Sequence, residues 1–549
     1  MKTLKVVAAV FLTVSIAFVS MGWPFIPESG NLKNTLFETQ NAVDDIEVLS
    51  SSPHSVLHPE ERAAVRRYLA GRLTELGGNP AVFYYDSIPS KFGGSLDIVN
   101  IYCCLNPSDK DTASSYMLLV AHYDSRFPEE TPHGTVCSYG AADDGYGLGV
   151  ILEIVRGALT YSEKWSQGLK VLFTDAEEHE LDGIRCALRE DSAVFDNVGL
   201  VINVEARGVK GPCLLFETSD GNAELMDFYI RNAQYPYAYS LTSSVYRFMP
   251  NFTDFTHLKP KFPGYNLSVI DNLHYYHNDK DNFSNINSGS VAHYGAQLEP
   301  VVREYLTGKQ YSDPDCFRSD KDLVVFTVPG LRTFTLGRTA CYVLNAVVLA
   351  MFVLAVSAYA VSGRIRGLRN VLVNALWITA AGISAAVLCT GIVFCITAVA
   401  DIPFSFTATK FLEADWILAA VLVALTGVSY IIFFIRKAAE SDYFVYEHIL
   451  GALLCVIVLS AVLLFVTGDN FFLMFPAACT LAGLLLHVLV YMNIFSLPAF
   501  LLVEMTCLPF LYNLYTALTV GSLGLVMFLA FIYLIMMTSL MRCFMVQKR

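Results

Sequence analysis

Two patterns of apolar residues divide this chain of 549 residues. Up to about residue 340 the apolar runs are short and sit between polar or glycine-rich stretches. They are DIVNIYC (97–103), YMLLVAH (116–122), LKVLFTD (169–175), VGLVINVE (198–205), CLLFE (213–217) and YNLSVI (265–270). Runs of this length with little polar alternation predict strands covered on both faces. Longer stretches with helical spacing lie among them: HPEERAAVRRYLAGRLTELG (58–77, closed by glycine), GYGLGVILEIVRGAL (145–159), ELDGIRCALRE (180–190), GNAELMDFYIRNA (221–233) and NSGSVAHYGAQLEPVVREYL (287–306). Strand alternating with helix predicts an α/β domain with a largely parallel, mixed sheet and helices on both faces.

Beyond residue 340 the pattern changes. Apolar runs long enough to cross a hydrocarbon core of ~30 Å recur near 340–361, 372–396, 416–435, 447–467, 471–493, 498–517 and 520–541. The first segment, VVAAVFLTVSIAFVSMGWPF after Lys2 and Lys5, reads as an uncleaved signal anchor, with a cleaved signal peptide as the alternative. The chain thus divides into an anchor (1–23), an exported domain (24–312), a linker (313–339) and an all-α polytopic membrane domain (340–549). Basic residues test the topology: Arg364, Arg366 and Arg369 follow the first long run, Arg436 and Lys437 the third, Arg542, Lys548 and Arg549 the last. With eight spans in all, each cluster falls on the side of Lys2 and Lys5, which places both termini in the cytoplasm and the α/β domain on the exoplasmic side. The membrane is either a bacterial inner membrane facing the periplasm or an endoplasmic-reticulum membrane facing the lumen; the sequons at Asn251, Asn266 and Asn282 do not decide between them.

Composition adds little beyond this. A net charge of −13 argues against nucleic acid as a partner. Cys103, Cys104, Cys137, Cys186, Cys213 and Cys316 in the exported part permit disulfides without selecting a pairing, and no CxxC suggests a zinc ribbon.

Chemistry gathers where strands are expected to end, the edge at which such sheets place their sites. YMLLVAH runs into His122 and Asp124, LKVLFTD into Glu177 and Glu178, and VGLVINVE ends at Glu205. YNLSVI is followed by His274, His277, Asp279 and Asp281, and the glycine-rich loop GAADDGYG carries Asp143 and Asp144. Each has a bland reading, since acids suit helix N-termini, DD in a glycine loop is an ordinary cap, and a Glu after a strand is usually solvated. Their concurrence at one rim matches the nitrogen and oxygen ligands a zinc-like dication takes, and metal pairs share a bridging carboxylate.

In this order HYD (122–124), GAADDGYG (140–147), DAEEHELDG (175–183), NVEARG (203–208) and YHNDKD (276–281) resemble the co-catalytic zinc aminopeptidases, a group that includes glutamate carboxypeptidase-like peptidases and glutaminyl cyclases. The resemblance covers about residues 40–306. With an anchor, a polytopic second half and a TDF segment (253–255), the chain is most similar to the endoplasmic-reticulum membrane metallopeptidase subgroup. The resemblance implies two Zn2+ ions, one held by His122 and Glu205, the other by Glu178 and His277, with Asp143 bridging. It implies that Asp124 orients His122, that Glu177 is the general base, and that Asp281 supports His277. Many soluble relatives carry Asp at the position of Glu205, which leaves the metal spacing open.

The implied function is a membrane-anchored dizinc aminopeptidase acting on peptides at a lipid bilayer. Two alternatives are a glutaminyl cyclase-like acyltransferase, which needs one metal, and a catalytically inactive receptor or scaffold with a peptidase fold. No implied ligand or base is missing from the sequence. In the membrane half, Glu504 and His487 fall within apolar runs, where ionisable groups are costly and could pair. Oligomeric state is not legible here.

Overall fold

A computed structural model of the protein describes residues 12–15, 17, 26–27, 32–131, 134–247, 249, 251–328, 332–407, 415–490 and 493–545. Most of the anchor expected over 1–23 lies outside the described residues. The chain forms two compact units, an α/β unit reaching to Thr327 and a helical unit from Leu336 onward.

The strands in chain order are β1 (Ala81–Pro89), β2 (Ser95–Leu105), β3 (Tyr116–His122), β4 (Glu129–Thr131), β5 (Gly134–Val136), β6 (Gly168–Thr174), β7 (Val198–Ala206), β8 (Leu214–Thr218), β9 (Gly264–Val269), β10 (Leu323–Val328) and β11 (Arg332–Gly337). Seven of them make the main sheet, in the order β1-β2-β6-β3-β7-β9-β8. β3 is parallel to both β6 and β7, and β9 is parallel to β7. β2 runs antiparallel to β6, β1 to β2, and β8 to β9.

The central strands are apolar on both faces because both faces are covered. Met117, Leu119, Ala121, Val171, Phe173, Ile202 and Val204 point into one core. That core also takes Val150, Ile151 and Ile154 of the helix Gly145–Leu159 and Val291, Leu298 and Val302 of the helix Ser288–Thr307. The alternate residues Leu118, Val120, Leu172 and Val201 meet Ile184 and Ala187 of the helix Asp182–Glu190 and Phe255 and Leu258 on the opposite face. The period of two along each strand therefore sorts side chains between two helical layers.

Two features depart from the expected boundaries. β1 is an edge strand in which only Tyr85 is buried, and its pairing with β2 shifts register between Tyr85 and Ile88. Ordered packing also continues past residue 312. Phe317 and Val325 lie in the larger core, and Asn222 Oδ1 accepts from Leu323 N at 2.7 Å.

Among the described residues of the helical unit, seven helices are long and apolar enough to cross a membrane: Arg338–Val361, Leu368–Val399, Asp415–Glu440, Tyr443–Thr467, Phe471–Leu489, Ser496–Leu518 and Val520–Met545. The first three bury 17–22% of their apolar windows and the last four 44–67%, so the later helices form the interior of this unit. Three consecutive residues tie it together. Tyr446 hydroxyl lies 3.1 Å from His487 Nε2, Glu447 accepts from Arg366 Nε at 3.1 Å and Asn370 Nδ2 at 3.2 Å, and His448 sits between Asn374 and Tyr430. Glu504 is buried, and its Oε2 has no hydrogen-bond partner. All thirteen cysteines are free thiols.

Just past β6, Asp175 is fully buried and paired with Arg62 of the helix Pro59–Glu75 at 3.1 Å, while its other oxygen accepts from Val99 N at 2.9 Å. Burial pushes the Asp175 carboxyl up to about 6, against the pull of Arg62. A raised acid opposes folding as pH climbs from its ordinary value through the folded one. Arg62→Met leaves the carboxylate unpaired, and it is expected to cost about 3–5 kcal/mol near neutral pH. The loss should shrink at pH 5, where the orphaned carboxyl takes up a proton. Denaturation midpoints of the full chain in detergent at the two pH values check both the size and the sign.

Candidate metal centre

The parallel strands deliver their C-terminal ends to one edge, so His122 at the end of β3, the turn after β6 and Glu205 near the end of β7 converge there. The turn carrying Glu177 and Glu178 is a single helical turn, Glu177–Glu180, flanked by left-handed residues Ala176 (φ 55°) and Leu181 (φ 59°). Left-handed backbone is costly for residues with a Cβ, so the surroundings must enforce it. They do so from two sides. Asp124 accepts from the backbone N–H of Glu177 at 2.9 Å and of Glu178 at 3.3 Å. Asn100 accepts from Asp175 N at 3.0 Å and donates to Gly183 O at 2.8 Å. Gly183 is required at the second clasp, since a Cβ there would stand 2.3 Å from Asp175 O.

The resulting cluster is compact. His122 Nε2 lies 3.2 Å from Asp143 Oδ1 and 3.6 Å from Glu205 Oε2. His277 Nε2 lies 2.8 Å from Glu178 Oε1 and 3.3 Å from Asp143 Oδ2. These five residues are buried and form two sets of three, each able to hold a metal ion, that share Asp143 through different oxygens. Asp143 Oδ2, Glu178 Oε1 and His277 Nε2 face one another without an aligned hydrogen bond, an expensive condition for buried polar atoms.

Electrostatics points the same way. Burial, with Glu205 and Glu178 nearby, pushes the Glu177 carboxyl well above the carboxylate range; burial also takes Glu205 to about 8 and Asp281 to about 7. Glu178 alone is held low, because His277 and Arg126 outweigh its burial. So much carboxylate in one dry pocket requires compensating positive charge, and a dication would supply it. Nitrogen and carboxylate donors around a shared carboxylate fit zinc.

The other expected residues resolve as follows. Asp144 caps the helix Gly145–Leu159, accepting from Gly147 N at 3.0 Å, and so parts company with Asp143. Asp124 meets His122 Nδ1 through its backbone carbonyl at 2.9 Å, with its carboxylate at 3.6 Å and turned mainly to the Glu177 and Glu178 amides. Asp281, expected beside His277, instead accepts from Ala142 N at 2.7 Å, Asp143 N at 3.3 Å and Ser138 Oγ at 3.0 Å, and so it shapes the Asp143 loop. His179 is satisfied by Asp182 at 2.7 Å and by Lys91 N at 3.0 Å. Glu177 is the one member of the group that keeps partial exposure. Sequence reasoning passed over Arg126, 3.0 Å from Glu178, and Tyr276, whose ring stacks 3.6 Å from that of His277. Both stand within four residues of a recognised histidine, the only signal that could have found them.

A parallel-centred sheet with buried histidines and acids converging at its C-terminal edge is an arrangement suited to a metal-dependent hydrolase of the α/β type. Residues 100–302 match the model of Peptidase family M28. Endoplasmic reticulum metallopeptidase 1 of Mus musculus is 26% identical over 330 residues, 59% of this chain and 34% of that protein. The vacuolar membrane protease of Paracoccidioides lutzii is 29% identical over 212 residues, 38% of this chain and 20% of that one. The chain thus spans about a third or less of the length of these relatives. Among solved structures, Porphyromonas gingivalis glutaminyl cyclase superposes with a TM-score of 0.41 at 20% identity, covering 50% of this chain and all of that one. A Zn-dependent exopeptidase from Parabacteroides distasonis gives 0.39 at 19% identity, covering 49% and 98%. Beside the stretch that matches the M28 peptidase model, the described residues include seven helices long and apolar enough to cross a membrane.

Asp281 supplies a direct test of how the Asp143 loop is held. Asp281→Ala strands three buried donors and frees the loop. Zinc affinity of the full chain, read by competition with a chelator, is expected to fall roughly 10–100-fold, the usual cost of removing a partner that orients metal ligands.

Proposed function

We propose that the protein is a membrane-anchored aminopeptidase that binds two zinc ions through His122, Asp143 and Glu205 and through Asp143, Glu178 and His277. The observation that carries this reading is the pair of three-residue sets sharing Asp143, with the partly exposed Glu177 beside them. When bound, zinc supplies Lewis acidity and a water whose pKa falls to about 7.

The chain's own residues do the rest. Glu177, fixed through its N–H to Asp124, takes the proton of the attacking water on its carboxylate and returns it to the leaving amine. Positioned proton transfer of this kind is worth roughly 10²–10⁴ in rate. Burial and its acidic neighbours raise the proton affinity of Glu177, which favours the first transfer. Asp124 keeps base and ligand on one rigid turn, and its backbone carbonyl accepts from His122 Nδ1, leaving Nε2 toward the cluster. Acidic groups at the rim would receive a peptide's free amino group, which selects N-terminal residues.

Glu177→Gln should keep its zinc and lose nearly all turnover, because an amide accepts no proton. Glu178→Gln should lose one of the two zinc ions as well. The substrates are a free-amine peptide, its acetylated twin and a glutaminyl peptide. Release from the free-amine peptide alone supports the proposal, whereas ammonia released from the glutaminyl peptide with the others untouched would replace it with a cyclase.

The same reading places the α/β unit on the exoplasmic side and both termini in the cytoplasm, on the distribution of basic residues. A reporter fused after Arg549 should behave as cytoplasmic and one inserted near Ser312 as exported. A C-terminal reporter active outside would reverse the topology.

A further inference from the structure

The two glutamates facing the cluster are each pinned through one oxygen, by donors of different charge. Glu178 Oε2 accepts from Arg126 Nη1 at 3.0 Å, and its Oε1 is turned toward His277. Glu205 Oε1 accepts from Asn203 Nδ2 at 3.1 Å, and its Oε2 is turned toward His122. Both pins are themselves fixed. Arg126 donates from Nε to Glu129 at 2.7 Å, and its guanidinium lies 4.0 Å from the centre of the Phe127 ring. Asn203 also donates to Asn266 Oδ1 at 3.0 Å, and Asn266 in turn donates to Glu217 at 3.2 Å. Among the described residues no lysine or arginine forms an ion pair with Glu205.

The donor sets are otherwise alike: one imidazole nitrogen, one free glutamate oxygen and one oxygen of Asp143 in each. What separates them is a full positive charge at hydrogen-bond distance from one glutamate and a neutral amide on the other. A fixed guanidinium draws charge out of the carboxylate it binds and repels an incoming dication, and both effects are strong in a buried site.

We propose that Arg126 makes the Asp143, Glu178 and His277 set the weaker of two zinc subsites, so that the His122, Asp143 and Glu205 set fills first. This rests on the two-zinc reading above. The consequence is a site that keeps one ion firmly and holds the second according to the zinc supply, with the charge of Arg126 setting the difference.

The test is a zinc titration of the full chain in detergent, stripped of metal with a chelator and read against a chromophoric competitor. Wild type should take two ions in resolved steps. Glu178→Gln should keep the tighter step, and Glu205→Gln should lose it. Arg126→Met, which removes the charge, should bring the weaker step about tenfold closer to the tighter one, whereas Arg126→Lys, which keeps the charge, should leave the spacing nearly as in wild type. Two equal steps in wild type, loss of the tighter step in Glu178→Gln, or an unchanged or wider spacing in Arg126→Met would each overturn the assignment. Should Arg126→Met fail to fold, the two glutamate variants still decide the order of filling. Saturation of wild type at a single zinc would defeat the two-zinc reading itself, a result distinct from all of these.

Discussion

Negative charge packed into a dry pocket is the constraint around which the α/β unit is arranged. Asp143, Glu178 and Glu205 stand buried within a few ångströms of two imidazoles, with Glu177, Asp144, Asp254 and Asp281 close behind. A folded chain tolerates this only if each oxygen is either hydrogen-bonded or offered to a cation. Donors are assigned accordingly. Amides of residues 142 and 143 go to Asp281, amides of 177 and 178 to Asp124, Arg126 to one oxygen of Glu178 and Asn203 to one oxygen of Glu205. Among the atoms left over, Asp143 Oδ2, Glu178 Oε1 and His277 Nε2 face one another in the candidate metal centre.

The sheet makes this arrangement possible at low local cost. Four mutually parallel strands bring four chain segments to one edge, so ligands far apart in sequence meet without a long structureless loop. The same topology explains what could be read from sequence. β3, β6 and β7 are buried on both faces and therefore write uninterrupted apolar runs, whose ends locate His122, the Glu177–Glu178 turn and Glu205. β1 was not legible because it lies at the edge, where Asp86, Ser87 and Pro89 are tolerated and only one residue needs to be apolar. Asp281 was recognised as part of the site but given the wrong partner. Its acceptors face backbone amides of a distant loop, and backbone hydrogen bonding across 138 residues leaves no trace in residue identity.

The helical unit follows a different economy. Length and hydropathy located its seven helices nearly to their ends, because a membrane-spanning helix must be apolar throughout. Its internal contacts were less legible. His487 and Glu504 looked like possible partners by their shared oddity among apolar residues, yet His487 meets Tyr446, which stands in a row with Glu447 and His448 at the start of another helix. Successive helical residues project about 100° apart, so three polar neighbours in sequence bind three different directions of the bundle. A cluster in sequence is thus dispersed in space, the reverse of the metal centre, where residues dispersed in sequence are gathered.

That contrast bears on the adjacent glutamates. Glu177 and Glu178 have the same side chain and share one carboxylate clamp on their amides, so neither residue type nor backbone position alone assigns them different work. The difference arises from what faces each side chain. On a helical turn, consecutive residues diverge by the same 100°, which sends Glu178 into contact with His277 and Arg126 and leaves Glu177 with partial exposure. His277 and Arg126 hold the Glu178 carboxyl low against its burial, while burial, with Glu205 and Glu178 nearby, raises that of Glu177. A repeated residue is thereby given two different surroundings, by placing the pair on one short turn whose amides are clamped by Asp124 and whose flanks are left-handed.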